Sequence, residues 1–155
     1  MDEDVLARIP GDDEPDDEKK RDRLAAWIKT VRNKCRDLDR GDVADNCIGK
    51  LLSNAPAGKD NVWPCEPVRD VLEEVQSERM FSGVHIGLYN ARGAHWRGEG
   101  GDQERELADK YRKWANALQY SHPFVASKLL MGMVKTYEQE ASREDTAAGI
   151  RRRLR

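Results

Sequence analysis

The sequence predicts an all-α fold, a compact bundle of about five helices ending in an antiparallel helical hairpin. Three observations carry this expectation. Apolar residues recur at three- and four-residue spacings along most of the chain. The breaks between those stretches hold Gly or Pro, as helix ends do. Strand-like alternation is confined to one stretch, where a short β-hairpin near 84–97 is the alternative.

Each element has its own signature. Leu24, Ile28, Val31, Cys35 and Leu38 form the stripe of a first helix, with Gly41 in the place of a C-cap. Asp42 is a candidate N-cap for a second helix, whose apolar face (Val43, Ala44, Cys47, Ile48, Leu51, Leu52) is unusually wide. Residues 54–61 read as a loop, and Trp63, just before Pro64, as a plug holding it to the bundle. Pro67 opens a third helix with Val68, Val71, Leu72 and Val75 inside. Over 83–96, Val84, Ile86 and Leu88 alternate as in a strand, while Met80, Val84 and Leu88 share a helical face on which Gly83 and Gly87 admit a close neighbour. A lone hairpin is marginal, so helix to about Asn90 and loop over 91–101 is the reading preferred. Asp102 then caps a helix with Leu107, Tyr111, Trp114 and Leu118 inside. Ser121, His122 and Pro123 break the chain, and Ala126, Leu129 or Leu130, Met133, Tyr137 and Ala141 carry the last helix toward Arg151–Arg153. The short break makes these two helices antiparallel.

Charge divides the chain. Residues 1–20 hold nine acids against three bases, about −6 of a whole-chain −2. With Pro10, Gly11 and Pro15 among them, they read as a disordered acidic tail ahead of a single helical domain at 21–155. Elsewhere acids and bases alternate, the pattern of a solvated helical surface, so nucleic acid is a weakly supported partner. The terminal run Arg151–Arg155 reads the same way. Cys35, Cys47 and Cys65 are odd in number and widely spaced, which fits free thiols in a reducing cytoplasm. Cys35 and Cys47 fall on apolar stripes and read as buried. No metal spacing, cofactor motif, signal peptide or membrane span is evident, and no cofactor or membrane association is expected.

From Gly83 onward a longer pattern emerges: Gly87, Asn90, Arg92–Gly93, Arg97, Glu99–Gly100–Gly101, Gln103–Glu104–Arg105, Leu107–Ala108, Tyr111–Arg112, Trp114–Ala115, Pro123, Tyr137–Glu138, Ala141 and Glu144–Asp145. This resembles the C-terminal region of a family of uncharacterised bacterial proteins of varying length. The resemblance implies a bacterial or mobile-element origin and no activity, substrate or cofactor.

Chemistry is most concentrated between Tyr89 and Arg105. A glycine-rich loop entering a helix can hold phosphate on free N–H groups, but Asp102, Glu104 and Glu106 in the first turn would repel it. The loop then has three readings: scaffold, with Arg92 and Arg97 paired to Glu99, Asp102 or Glu104; a contact surface formed by Arg92, Trp96, Arg97, Glu99 and Gln103; or an active site led by His95, Glu99 and Glu104. Trp27, off the stripe of its helix, is a second candidate contact residue. The expected function is that of a small bacterial, non-enzymatic protein that binds another macromolecule, with a protein partner. The alternatives are an enzyme with its site in 89–105, and a phage or mobile-element inhibitor that binds nucleic-acid machinery.

Overall fold

The computed structural model describes residues 8–92 and 101–154. They form six α-helices and one π-helical segment, and no strand occurs among the described residues. The helices are α1 (Asp17–Asp37), α2 (Gly41–Leu52), α3 (Glu66–Val75), α4 (Glu78–Arg92), α5 (Asp102–Leu118) and α6 (Met131–Arg153), with the π-helical turn Val125–Leu130 leading into α6. No described helix is long and apolar enough to cross a membrane. The chain divides between Ala91 and Arg92 into two compact units.

In the first unit, α1 begins at Asp17, inside the segment expected to be disordered. The cause is local. Asp16 accepts a hydrogen bond from the Lys19 N–H at 2.8 Å, and Asp17 and Glu18 lie at the positive end of the helix dipole. Ahead of it, Asp13 and Glu14 both receive the Arg23 guanidinium, at 3.2 and 3.1 Å. Residues 1–7 of the expected tail lie outside the described residues.

Leu24 and Ile28 are buried along α1, which packs on both α2 and α3. Gly41 opens α2 rather than closing α1, and Asp39, at φ 57°, takes the left-handed position after the helix. Arg40 precedes α2, with Asp42 inside its first turn and no side-chain cap. The inner side of α2 is fixed by a buried carboxylate. Arg32 grips Asp45 with two hydrogen bonds of 2.9 and 3.2 Å, and the Ser77 hydroxyl donates to the same carboxylate at 2.7 Å. That hydroxyl also accepts from the Met80 N–H, so one carboxylate ties α1 and α2 to the start of α4.

The 84–92 part of the hairpin alternative is corrected by α4, which is helical through Arg92; the remainder lies outside the described residues. The glycines explain the outcome. A Cβ on Gly83 would come within 2.9 Å of the Asn46 carbonyl carbon and 3.0 Å of the Lys50 nitrogen, and one on Gly87 within 2.6 Å of Ser53 Cβ. Backbone approach this close needs a glycine on one helix against the flank of another. Gly49 of α2 answers them from the other side.

Between α2 and α3 the loop is pinned as expected by Trp63, which is buried and donates Nε1–H to the Ala55 carbonyl at 2.6 Å. Arg69, buried on α3, donates to the Pro64 and Val62 carbonyls at 2.8 Å each and to both carboxylate oxygens of Asp60. This bonding holds the Asp60 carboxyl down at about 2.

In the second unit α5 and α6 form the antiparallel hairpin. The inner stripe of α5 is Glu104, Ala108, Tyr111, Ala115 and Leu118; Tyr111 and Leu118 are where expected, while Ala108 and Ala115 take the inside in place of Leu107 and Trp114. Leu107 and Trp114 are only half-buried. Two alanines bring the helices close, and Tyr111 fills the space by stacking on Tyr137 with centroids 5.8 Å apart. Trp114 stands nearly perpendicular to Tyr111 with ring centroids 5.2 Å apart, and Lys110 Nζ lies 5.0 Å from the Trp114 centroid. Both members of the Leu129/Leu130 choice are buried, because the wider π-helical turn puts Val125, Ala126, Leu129 and Leu130 all inside.

Candidate functional site

Of the residues expected to form a site, His95, Trp96, Arg97 and Glu99 lie outside the described residues. Arg92 closes α4, and its side chain lies outside them too. Gln103 is exposed on α5. Glu104 is fully buried, at the head of the stripe that α5 turns inward. Its two expected acid–base partners, His95 and Glu99, are among the residues outside the described ones.

Several other described residues of the long pattern pack or pair within the hairpin. Gly101 donates its N–H to Asp145 Oδ1 at 2.9 Å, and a Cβ there would lie 2.5 Å from Ala141 Cα. Arg105 joins Asp145 and also Asp102, the latter at 2.9 Å; seven residues on, Arg112 joins Glu138 and also Asp109, at 3.0 Å. The helix therefore repeats Asp-x-x-Arg, and its two arginines meet acids seven residues apart on α6. These pairs are 39–52% exposed and individually weak. Together they favour one alignment of the two helices without fixing it alone.

Trp27 leads to a different place. It is half-buried at the edge of α1, where it lines a shallow groove of about 380 Å³ between α1 and α2. From α1 come Trp27, Val31 and Cys35, with Leu38 at its C-cap; from α2 and the turn come Arg40, Val43 and Cys47, over a floor of Ala44 and Ile48. Leu38 is 74% and Val43 57% exposed. Carbon and sulfur make up nearly the whole wall, and Arg40 is its one charged side chain among the described residues.

The burial expected of Cys47 is corrected. Its thiol is exposed and Cys35 is half-buried, because α2 turns Val43 and Cys47 to the groove and Asp45, Ile48, Gly49 and Leu52 to the interior. The signal was in the sequence. An apolar face covering both the 43/47 and the 44/48/52 rows is wider than one neighbouring helix can cover. Trp27, Val31 and Leu38 likewise form a second row beside Leu24 and Ile28.

Burial shifts three further titratable groups. Burial pushes the Cys65 thiol up, against thiolate formation. Burial also lowers His85, favouring the neutral ring, and raises the Tyr111 phenol. All three cysteines are free. No family model, curated protein or solved structure matches the chain.

Proposed function

We propose that this chain is a non-enzymatic binding module that docks a protein partner in the groove between α1 and α2. The observation that supports this reading is the pairing of Trp27 with a continuous exposed apolar surface made by Leu38, Val43 and Cys47. Isolated exposed apolar residues are ordinary, whereas a contiguous patch beside an aromatic anchor marks contact surfaces. The α2 wall is held from behind by the Asp45 network and the glycine contact with α4, so the surface is formed in advance of binding and costs little ordering. A reducing cytoplasmic setting, in which Cys35 and Cys47 stay thiols, belongs to the same proposal, as does the bacterial origin implied by the resemblance of residues 83–154.

The test is site-specific photo-crosslinking inside the host. A benzophenone amino acid at position 38 or 43 is expected to give a discrete protein adduct, while one at exposed Lys128 on the second unit gives none. Trp27→Ala should reduce the adduct at position 43 by tenfold or more, since anchor residues contribute about 2 kcal/mol or more to binding. Equal labelling from positions 43 and 128 refutes the reading.

A further inference from the structure

We infer that the occupant of the α1–α2 groove is an amphipathic helix with acidic flanks, supplied by a partner protein; this rests on the groove being the docking site. Three features of the groove specify that chemistry.

The first is the absence of a backbone edge. Both walls are helices whose backbone groups are bonded internally, so an extended peptide laid in the groove would find no ladder for its own N–H and C=O groups. A docked helix meets those groups internally and needs nothing from the walls but its apolar contacts. The second is length. Trp27 to Leu38 is a run of twelve residues including the helix cap, about 16 Å long at 1.5 Å rise per residue. That matches three turns of a docked helix presenting apolar residues at i, i+3, i+4 and i+7.

The third is charge. By helical period Lys34 stands on the Val31–Leu38 row, and Lys50 on the Val43–Cys47 row, while Arg40 lines the groove between them. All three are exposed, and none is ion-paired among the described residues, whereas Arg23, Arg32 and Arg69 of the same unit all bind carboxylates. The nearest acids are not ion-paired with them among the described residues: Asp42 lies 4.0 Å from Arg79, and Asp37 and Asp39, close in sequence to Lys34 and Arg40, make no ion pair with either. An apolar trough with unpaired cations on both banks complements a helix with an apolar stripe between acids. A second copy of the groove would instead set like charges against each other.

A displayed library of 16-residue helices with a fixed Leu stripe and random flanks, panned against the full chain, tests this. Enriched helices are expected to carry acidic flanks. Their affinity should fall about tenfold or more in the Lys34→Glu/Arg40→Glu/Lys50→Glu variant, and should weaken from 50 to 500 mM salt as screening lengths shorten. Neutral or basic flanks among the enriched helices overturn the acidic occupant and leave the docking groove standing. Helices that bind Leu38→Asp and Val43→Asp as well as wild type, or no enrichment at all, overturn the groove itself. Sedimentation showing a dimer that Val43→Asp disperses makes the occupant a second copy and overturns the inference. Both variants are at exposed positions, and a circular dichroism melt confirms that they remain folded.

Discussion

The same chemical change, glycine to alanine, should move stability in opposite directions at two helical sites. At Gly49 an added Cβ would lie 2.8 Å from the Val84 nitrogen and 3.0 Å from Gly83 Cα, and nearer still to the Met80 carbonyl oxygen. All three are backbone atoms of α4 and cannot swing aside. Restoring ordinary contact near 3.4 Å requires α2 and α4 to part by roughly 1 Å, a gap that forfeits a quarter to a half of each dispersion contact it opens. Leu52, Met80 and Val84, each with no exposed surface, lie on these two helices. Overpacking of this kind costs about 1–3 kcal/mol, and rigid neighbours place Gly49 at the upper end. Against that, alanine gains about 1 kcal/mol of helix propensity. The net expectation for Gly49→Ala is a loss of about 2 kcal/mol, a fall in melting temperature of about 4–8 °C. Gly149, inside α6, has nothing within 4 Å of its Cβ position, so Gly149→Ala keeps the propensity gain and should stabilise by about 0.5–1 kcal/mol. Thermal and urea unfolding followed by circular dichroism at 222 nm reads both. A Gly49→Ala protein that melts at or above wild type refutes the close contact between α2 and α4.

Acid should destabilise the first unit in two steps. Burial lowers His85 below its ordinary 6.5, so the unfolded state takes up the proton first and stability falls as pH drops below 6.5. Asp60, held at about 2 by Arg69, contributes fully above the ordinary carboxylate range and loses that contribution as pH falls from 3.8 through 2. With 45% of its side chain exposed, that second step should be about 1 kcal/mol or less. Melting curves from pH 8 to 2 should lose the first step in His85→Gln and the second in Asp60→Asn; steps that persist in both variants contradict the assignment. Timed alkylation with mass mapping should modify Cys47 before Cys35, and Cys65 last, because Cys47 is exposed and the Cys65 thiol is partly buried with its ionisation suppressed. Fastest reaction at Cys65 would contradict the orientation of α2 and the enclosure of the α3 start.

Much of the fold is legible because helical period and glycine placement are strong local signals. Gly83 and Gly87 pointed to a close helical neighbour, and Gly49 opposite them is what the structure adds. Trp63 before Pro64 announced its own role as a plug. Tyr111 and Leu118 of the α5 stripe were legible, but Leu107 and Trp114 outweigh their neighbours Ala108 and Ala115 on any hydropathy reading. Close packing selects the alanines and puts Glu104 inside. Asp16 could override the composition of the acidic segment because capping acts on a single hydrogen bond, invisible to an average over twenty residues. The groove was half legible: Trp27 stood out, but its companions were counted as core. Period alone does not say which of two adjacent apolar rows a neighbouring helix will cover.

The repeated Asp-x-x-Arg of α5 has a further consequence for how the hairpin finds its alignment. Because both the arginines and their acidic partners recur every seven residues, a slip of two turns, about 10.5 Å, would bring Arg105 opposite Glu138 with one pairing still made. Electrostatics alone is thus nearly blind to that error. Shape is not: the notch at Gly101 accepts Ala141 at a single setting, and the Tyr111–Tyr137 stack exists only there. The charges work as a coarse ruler with two equivalent marks, and the glycine notch and tyrosine stack supply the vernier that tells those marks apart. A chain that lost Gly101 would keep the ruler and only half of the vernier, leaving the tyrosine stack alone to tell the two marks apart.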